Sequence, residues 1–554
     1  MIAFLRSSLN IGSGILSILV YVTLIIELIF LMAMTPLQLF NDVHYYIFIL
    51  IIADSLIRFI IRPSKRFGYR RLFIGFLAII PVLNFHGLSL PWLEMNITIQ
   101  QSILLIIALS RIQHLAFLLQ PFRSNPTQLF IGGFILFILL GAIFLMIPGA
   151  HVGSITFIDA LFVAASAVCV TGLTVFDVGS QLTVIGQFIL LVLIQIGGLG
   201  IMTFYALVTI SLSQRFLSTE SQELQAGWAT DSLKETFGLV RSIFIVTLIV
   251  ELVGAVFIFL ALPDTIGSLS QKVFFAIFHS VSAFCNAGFS LFSNSIALFS
   301  DSFLMIAVFS LLIILGGIGF PVIFELHHRY IVKDKQRLKL QTKMVIYVSL
   351  ILIGLGALVF FVQALVSGEG YDSIGLAFFH SISARTAGFT MHDLSTYHLA
   401  SLWFMLILMF IGASPGSTGG GIKTTTFGLL VVALFSTIQS KARIHVFSRH
   451  VKPQVIFKAL TIFTMSFFIV FISFFILLIT ESIDFFPLLF ETISAFATVG
   501  YSLGVTENLS SAGKFIIIFL MFFGRVGPLT LAIALTRRQK EANYKLPDEH
   551  VLLG

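Results

Sequence analysis

Four short segments of this chain, spaced roughly a hundred residues apart, begin with serine and alanine and end in glycine. They are residues 166–172, 282–288, 383–388 and 494–500. Each glycine precedes a bulky apolar or aromatic residue, and an apolar stretch that suits a membrane-spanning helix fits on both sides of each segment. Four such turns around one axis would present backbone carbonyls to a dehydrated cation, as selectivity filters do. The repeat therefore predicts an ion-conducting membrane protein.

The predicted filter consists of the glycine of each segment and the two residues before it. These residues are Val170, Thr171, Gly172, Asn286, Ala287, Gly288, Thr386, Ala387, Gly388, Thr498, Val499 and Gly500. A cation at their backbone oxygens is the metal site that the pattern predicts. Cys169 and Cys285 lie in separate segments, and we interpret them as packing residues and not as redox or metal groups.

Composition and charge agree with a membrane protein. Of the 554 residues, 58% are apolar and 10% are charged, whereas soluble domains contain about 25% charged residues. The net charge of +7 comes from basic residues in alternate loops, near 62–71, 329–343, 441–458 and 537–545. This positive-inside pattern predicts that those loops and both termini are cytoplasmic. It gives no indication of nucleic-acid binding, and the first apolar span is predicted to be a retained helix.

The predicted fold is an all-α polytopic membrane protein in which four helix–re-entrant loop–helix units surround one pore. The predicted boundaries are 1–125 for an N-terminal four-helix module, 126–237, 238–340, 341–453 and 454–540 for the four pore repeats, and 541–554 for a cytoplasmic tail. Outer helices are predicted near 128–147, 239–262, 344–366 and 456–480, and short amphipathic helices near 159–170, 272–285, 372–386 and 484–497. The negative ends of the short-helix dipoles would point at the filter, which suits a cation.

The N-terminal module contains four apolar spans, and part of it resembles a voltage-sensor domain. Residues 54–58, 62–66 and 77–81 resemble the second and third sensor helices, but Gly75 stands where the third helix of a sensor carries an acid. The fourth span carries Arg111, His114 and Arg123, fewer charges than gating at resting potential needs when each contributes about 2.3 kcal/mol per 100 mV. We interpret the module as a degenerate sensor-like scaffold; an active sensor and unrelated helices are the alternatives.

The inner helices carry glycines at a nearly constant distance after the filter, in residues 197–200, 316–319, 412–415 and 524–527. In the third repeat, residues 412–426 hold five glycines, a proline and a lysine at mid-membrane depth. Such backbone persists in a membrane only where protein buries it or water fills the space. We interpret this segment as an intramembrane gating loop; a kinked helix and a phosphate-binding loop are the alternatives. The predicted gate residues are Gly412, Pro415, Gly416, Gly419, Gly420, Gly421, Lys423 and Arg525.

Several polar residues near the filter have more than one interpretation. Arg525 is predicted to point into the cavity and oppose a waiting cation, or else to pair with an acid in the bundle. Arg385 is predicted to brace the third segment through hydrogen bonds to carbonyls. Asp177 and Asp393 each follow a filter glycine by five residues, so each is either an acid at the outer mouth or a loop cap.

Residues 126–540 resemble the Trk/Ktr/HKT superfamily of potassium transporters. The resemblance lies in the four glycine segments, residues 384–389, residues 414–425 and residues 524–529, the last being more similar to the Ktr membrane subunit. It implies one pore per chain, a homodimer, and a cytosolic ring of regulatory subunits docked on the basic inner loops. It also implies that a nucleotide (ATP/ADP or NAD(H)) binds to that partner and that this chain holds no cofactor.

The resemblance also bears on the ion and the compartment. Glycine at all four filter positions is associated in that superfamily with potassium, which predicts uptake of K+ across the prokaryotic plasma membrane. Membrane lipid is the predicted surrounding of the protein. Sodium coupling remains open, and a sodium or mixed-cation conductor of the same architecture is the alternative. A polytopic membrane enzyme is the third hypothesis, but the sequence offers no His-Glu-x-x-His pattern and no cysteine pair for it.

Overall fold

The computed structural model describes residues 49–52, 126–212, 233–263, 266–331, 333, 337–366, 374–441, 443–528 and 530. The predicted N-terminal module, apart from the helical residues 49–52, lies outside this part of the chain. The predicted tail and the basic loops near 62–71 and 537–545 lie outside it as well.

The described chain is mainly helical and consists of four successive units, each with an outer, a short and an inner helix. The outer helices are Pro126–Leu145, Leu233–Ala261, Leu340–Val366 and Pro453–Thr480. The short helices are Phe157–Val168, Leu269–Phe284, Ile374–Ser383 and Phe485–Ala497. The inner helices are Val184–Leu212, Phe303–Gly317 with Phe320–Tyr330, Leu399–Phe410 with Thr424–Ile438, and Ser511–Val526. The predicted all-α architecture is confirmed.

The smaller elements also repeat. One short helix or 3-10 turn lies between the short and the inner helix of each unit: Val178–Gln181, Ala297–Phe299, Leu394–Thr396 and Thr506–Asn508. Between units three and four, His445–Val446 and Arg449–His450 form an antiparallel hairpin. Its turn residues, Phe447 and Ser448, both have positive φ, as a two-residue hairpin of this handedness requires.

Three described helices contain apolar stretches long enough to cross a membrane: Ile243–Ala261, Leu340–Val366 and Pro453–Thr480. The pair Phe303–Gly317 and Phe320–Tyr330, bent by 99°, passes the same test as one broken span. Large apolar side chains on these helices face outwards; Leu252, for example, is 69% exposed. A soluble monomer rarely exposes so much apolar surface, whereas lipid-facing helices do.

The units close into a circle. Each inner helix packs against the short helix of the following unit, and the fourth inner helix packs against the first short helix. Lys514 of the fourth inner helix forms an ion pair with Asp159 of the first short helix, with Nζ and Oδ1 2.7 Å apart. The short helices therefore lie inside, and the phenylalanine one turn before each segment's serine is fully buried in all four units. These residues are Phe162, Phe278, Phe379 and Phe490.

The short helices begin where the sequence provides caps. Thr156 accepts a hydrogen bond from the Asp159 backbone N–H at 3.3 Å. Ser268 and Gln271 form a reciprocal capping box at the start of the second short helix. In unit four, Asp484 occupies the cap position, where its charge favours the helix N-terminus. The predicted equivalent in unit three, Asp372, lies outside the described residues.

Candidate functional site

The four segments that the sequence singles out meet around one axis. A Cβ atom added to each glycine would overlap the carbonyl oxygen that precedes the glycine of the next unit, and the fourth glycine faces the first unit in the same way. The pairs around the circle are Gly172 with Ala287, Gly288 with Ala387, Gly388 with Val499, and Gly500 with Thr171. At Gly172 that Cβ would lie 2.5 Å from the Ala287 oxygen. These four glycines are called the glycine ring below.

The backbone of each segment alternates in handedness. The ring glycines have φ of 93°, 70°, 74° and 96° in chain order. The residue two positions earlier also has positive φ in every unit: Val170, Asn286, Thr386 and Thr498. Non-glycine residues seldom adopt this conformation, so its fourfold repetition marks a built feature. Alternation of handedness turns successive carbonyls to the same side of the chain, which suits a column of oxygens.

The serine that opens each segment fixes this backbone. Ser166 and Ser494 accept hydrogen bonds from the N–H groups of their own ring glycines, at 3.0 and 3.2 Å. Ser282 and Ser383 donate to the carbonyl of the residue after the glycine, at 2.8 and 2.7 Å. The third segment is one residue shorter than the others, yet Ser383 reaches Phe389 O, the carbonyl equivalent to the Phe289 O that Ser282 reaches. The serine is thus a brace for the ring.

The glycines of the inner helices lie against the ends of the short helices. A Cβ at Gly197, Gly316 or Gly524 would overlap a carbonyl in the last turn of the short helix of its own unit. Their constant distance from the ring glycines is therefore a matter of close helix packing. A few residues further on, each of these helices breaks at a glycine of positive φ: Gly200, Gly319 and Gly527.

The third inner helix is interrupted by a loop. It ends at Phe410 and resumes at Thr424, so the kinked-helix alternative is wrong. The loop reaches into unit two, where Ser414 N–H donates to Gly317 O at 3.1 Å and Thr418 N–H donates to Gly316 O at 3.2 Å. We call residues 411–423 the intramembrane loop.

The intramembrane loop also contacts the inner end of the ring segments. Gly420 N–H donates to Thr498 Oγ1 at 3.0 Å, two residues before a ring glycine. Gly419 is so close to Thr386 Oγ1 that a Cβ would not fit. The loop therefore lies directly below the third and fourth segments.

Two cationic side chains hold the loop's carbonyls. Lys423 Nζ donates to Gly419 O at 2.7 Å and, more weakly, to Gly420 O at 3.5 Å. Arg525 of unit four donates to Thr418 O of the loop and to Gly197 O of unit one. The observed partners of Arg525 among the described residues are carbonyls, not the carboxylate of the alternative prediction. Lys423 is engaged by its own loop, and the fold supplies no preceding strand, which argues against a phosphate-binding loop.

Arg385 differs from its prediction. Its guanidinium donates to Ser349 Oγ on the third outer helix, at 3.2 Å. The prediction that it braces the segment through hydrogen bonds to carbonyls is therefore wrong; it links the segment to a hydroxyl on the helix behind it. His279 of the second short helix contacts a carbonyl of its own helix: its Nδ1 lies 2.8 Å from Phe275 O.

A cavity of about 510 Å³ opens on the other side of the ring and is lined by all four ring glycines. Asp177 and Asp393 both line it. Each also caps a short element, because its Oδ1 accepts a backbone N–H two residues later at 2.9 Å. The two alternative interpretations of these acids are thus compatible. Glu507 also lines the cavity; the sequence analysis missed it, although its turn occupies the same place in unit four as that of Asp393 in unit three.

The surroundings of Asp177 favour its ionised form. Partial burial alone would raise the pKa of this carboxyl, but hydrogen bonds from Ser293, Ser180 and the backbone N–H groups of Gly179 and Ser180 lower it below its ordinary value. The Ser293 hydroxyl donates to Oδ2 at 2.6 Å from the neighbouring unit. Asp177 therefore carries its negative charge throughout the neutral range.

The sequence analysis also missed a polar cluster behind the second segment. Glu251 of the second outer helix is 6% exposed, and its Oε2 accepts a hydrogen bond from Gln195 Nε2 at 3.1 Å. Cys285 lies 3.9 Å from both side chains. Within the described residues, no group of three or more His, Cys, Asp or Glu is placed to hold a metal ion.

Comparison with known proteins gives consistent results. A family model described as "TrkH: Cation transport protein" matches residues 94–545. The chain is 38% identical over 442 residues to the Ktr system potassium uptake protein B of Bacillus subtilis, covering 78% of this chain and 97% of that protein. It is 35% identical to the potassium/sodium uptake protein NtpJ of Enterococcus hirae, covering 78% and 98%. The crystal structure of the potassium transporter TrkH from Vibrio parahaemolyticus has the same fold, with a TM-score of 0.61 and 19% identity, covering 90% of this chain and 98% of that chain.

Proposed function

Because this chain belongs to the family of TrkH cation transport proteins, we propose that it carries potassium into the cell through the glycine ring. The observation that supports this most directly is the closed circle of glycines and carbonyls contributed by all four units. A cation on that axis exchanges its water for main-chain oxygens. The C-terminal ends of the short helices lie next to the ring, and their partial negative charge favours a cation there.

The membrane potential is the proposed driving force. At about −150 mV a monovalent cation that enters the cell gains about 3.5 kcal/mol. At about 1.4 kcal/mol per factor of ten, this sustains a concentration gradient of roughly 2.5 decades. Uptake therefore needs no chemical reaction in this chain, which argues against the enzyme hypothesis. The proposed location is the plasma membrane, with the basic loops on the cytoplasmic side.

The intramembrane loop and Arg525 form the proposed gate. The loop lies across the inner end of two ring segments and is bonded to the second unit. Arg525 connects it to the first and fourth units. A cation that leaves the ring towards the cytoplasm meets this arrangement, so conduction requires the loop to move. The guanidinium also places a positive charge on the path, which disfavours a resting cation.

Asp177 and Asp393, joined by Glu507, have a proposed role at the outer mouth. All three line the cavity above the ring. Their negative charges raise the local cation concentration over that of the bulk solution. This role is compatible with their capping hydrogen bonds, which use one carboxylate oxygen and leave the charge in place.

Regulation is proposed to come from partners on the cytoplasmic side. The hairpin region between units three and four presents exposed Arg443, Arg449, His450 and Lys452. The relative from Bacillus subtilis carries a name that assigns it to a Ktr system, which supports a second, regulatory subunit here. We expect a homodimer of this chain on a ring of nucleotide-binding subunits, with ATP/ADP or NAD(H) bound by those subunits.

Sodium is the second candidate ion. The relative from Enterococcus hirae is named a potassium/sodium uptake protein, and this chain is 35% identical to it over 454 residues. This relationship supports a mixed-cation conductor. The distinction rests on the spacing of the ring carbonyls, because a dehydrated sodium ion requires shorter distances to its oxygens than a potassium ion does.

Rubidium uptake into liposomes that contain the purified chain tests the proposal. With an inside-negative potassium diffusion potential, we expect uptake that external potassium inhibits at much lower concentration than external sodium does. Equal inhibition by both ions would favour the mixed-cation conductor. Uptake no greater than in empty liposomes, with or without added cytosolic partners, would overturn the transport proposal.

A further inference from the structure

An apolar pocket of about 430 Å³ lies behind the intramembrane loop. Its walls come from the fourth outer helix, the third inner helix and the fourth short helix. Its floor includes Ile411 and Ile422, the residues at the two ends of the loop. All of its lining residues are apolar or aromatic, so the pocket discriminates ligands by shape and apolarity alone.

The pocket is continuous with the lipid-facing surface. Trp403, Ile407 and Phe471 form its rim and are 47%, 54% and 56% exposed. Ile411 and Ile422 on the floor are 4% and 3% exposed. The opening therefore faces the medium in which the apolar helices lie, which is the hydrocarbon of the bilayer.

A groove of this size that opens to the lipid-facing surface is large enough to hold a ligand. An apolar cavity stays free of water and takes up apolar ligands. Its size falls within the roughly 300–1,000 Å³ of pockets that enclose drug-sized molecules, which is enough for a segment of a lipid tail. Each methylene that enters gains dispersion contacts with the wall.

We propose that a lipid acyl chain enters this pocket from the bilayer and holds the intramembrane loop in its docked position. Because the lining carries no charge, the tail is recognised and the headgroup is not. The occupant is thus any membrane lipid whose tail can reach the rim.

The position of Ile411 and Ile422 connects the pocket to the loop. The two residues pair at the point where the loop leaves and re-enters the third inner helix, and Ile422 N–H donates to Phe410 O at 3.3 Å. On the side facing the pore, the loop is bonded to the second unit and to Thr498. The pocket is the open space on the opposite side. Withdrawal of the loop from the axis moves its ends towards that space, which an acyl chain would fill.

Photolabelling tests the occupancy of the pocket. The full chain is reconstituted in phosphatidylcholine–phosphatidylglycerol vesicles that contain phosphatidylcholine with a diazirine near the end of one tail, and adducts are mapped by mass spectrometry. We expect adducts on Ile411 and Ile422, although both are nearly inaccessible from the outer surface. Adducts restricted to exposed residues outside the pocket, such as Leu252, would overturn the proposal, since a second protein copy or another segment of this chain would then cover the pocket.

A pocket-filling substitution tests the effect on the loop, and this part rests on the proposed gate. Val470 lines the pocket and is 8% exposed, whereas Ile472 on the same helix is 54% exposed and faces away from it. We expect Val470→Phe to abolish the adducts on Ile411 and Ile422 and to lower rubidium flux about fivefold, a typical coupling between two sites. Ile472→Phe should change neither.

The two measurements separate the possible failures. If wild-type adducts form on the floor but Val470→Phe leaves flux unchanged, the coupling to the loop is overturned and the lipid site stands. If flux is present but the floor is never labelled, the lipid site is overturned and the transport proposal stands. A Val470→Phe protein that does not fold leaves the wild-type labelling as the decisive result.

Discussion

The four units are alike at the glycine ring and unlike just below it. At the ring, every unit contributes a glycine, the same two positive-φ positions and a bracing serine. At the level where the inner helices break, units one, two and four use a single glycine, whereas unit three inserts residues 411–423. Symmetry is thus kept at the proposed filter and abandoned at the proposed gate.

This difference between the glycine ring and the intramembrane loop fits the roles proposed for them. A cation on the axis is equidistant from four oxygens only if the four units contribute equally. A plug has the opposite requirement, because four equal loops would compete for one axial space. One elaborated unit suffices, and the simple breaks at Gly200, Gly319 and Gly527 leave room for it.

The largest expected effect comes from breaking the ring. In Gly388→Ser, the new Cβ would overlap the Val499 carbonyl, and the residue would have to adopt φ of 74°. Loss of one well-placed oxygen at a charged group is worth about 1.5–3 kcal/mol, so potassium-over-sodium preference should fall about tenfold to a hundredfold in competition against rubidium uptake.

Equivalent ring positions should respond alike. We expect Gly288→Ser to lower the same preference by a similar factor, while Gly354→Ser on the third outer helix should leave it unchanged, because no atom lies within 4 Å of a Cβ there. An unchanged ion preference in both ring variants would show that the ring is not the filter.

A smaller effect is expected at the intramembrane loop, where unit three differs from the other units. Deletion of residues 413–421 should raise rubidium flux about tenfold and preserve the preference for potassium, since the ring remains whole. The ends of the deletion lie side by side, because Ile411 pairs with Ile422, so the two half-helices need not separate. A folded variant, judged by gel filtration, with unchanged or lower flux would contradict a gating role.

Arg525 and Lys423 should differ in importance. Arg525 joins the loop to unit one, whereas Lys423 bonds within its own loop. We expect Arg525→Gln to raise flux about fivefold and Lys423→Met to raise it less, both measured as initial rates of rubidium uptake. The reverse order would show that the loop is held by its internal bonds and not by its ties to other units.

The smallest effect is expected at the outer mouth. Asp177→Asn removes one charge above the ring, which should lower the apparent potassium affinity about twofold at low ionic strength and much less at physiological salt, because of screening. The affinity difference between the two proteins should be constant from pH 8 to about pH 5, since the lowered pKa of Asp177 keeps it ionised.

The affinity difference between wild type and Asp177→Asn should disappear only at low pH. A carboxyl with a depressed pKa loses its charge, and the stability gained from its hydrogen bonds, only as pH falls through that low value. A difference that fades already between pH 7 and pH 6 would assign the titration to another group.

Much of the fold could be predicted because glycine and helix periodicity act locally. The outer and short helices of the described units lie within a few residues of their predicted bounds. The nearly constant spacing of the inner-helix glycines is visible in the sequence, but its reason is not. In the structure the backbones of Gly197, Gly316 and Gly524 touch the ends of the short helices.

The partners of long polar side chains could not be predicted. Arg385 reaches Ser349 on another helix, and Arg525 reaches a carbonyl of unit one. Such contacts depend on how distant segments pack, and nothing near either residue in the sequence encodes them. Glu507 and Glu251 were missed for the same reason, since only the closed circle brings one to the outer cavity and the other to Gln195.

The circle is completed by contacts between its two ends, where Lys514 meets Asp159. The ribosome makes the first short helix early and the fourth inner helix late. The circle therefore cannot close until the fourth inner helix has been made. Until residues 494–500 have been made, the nascent chain holds only three of the four segments of the glycine ring. With the ring as the proposed filter, a chain truncated before residue 494 lacks one of its four sides and should not prefer potassium over sodium.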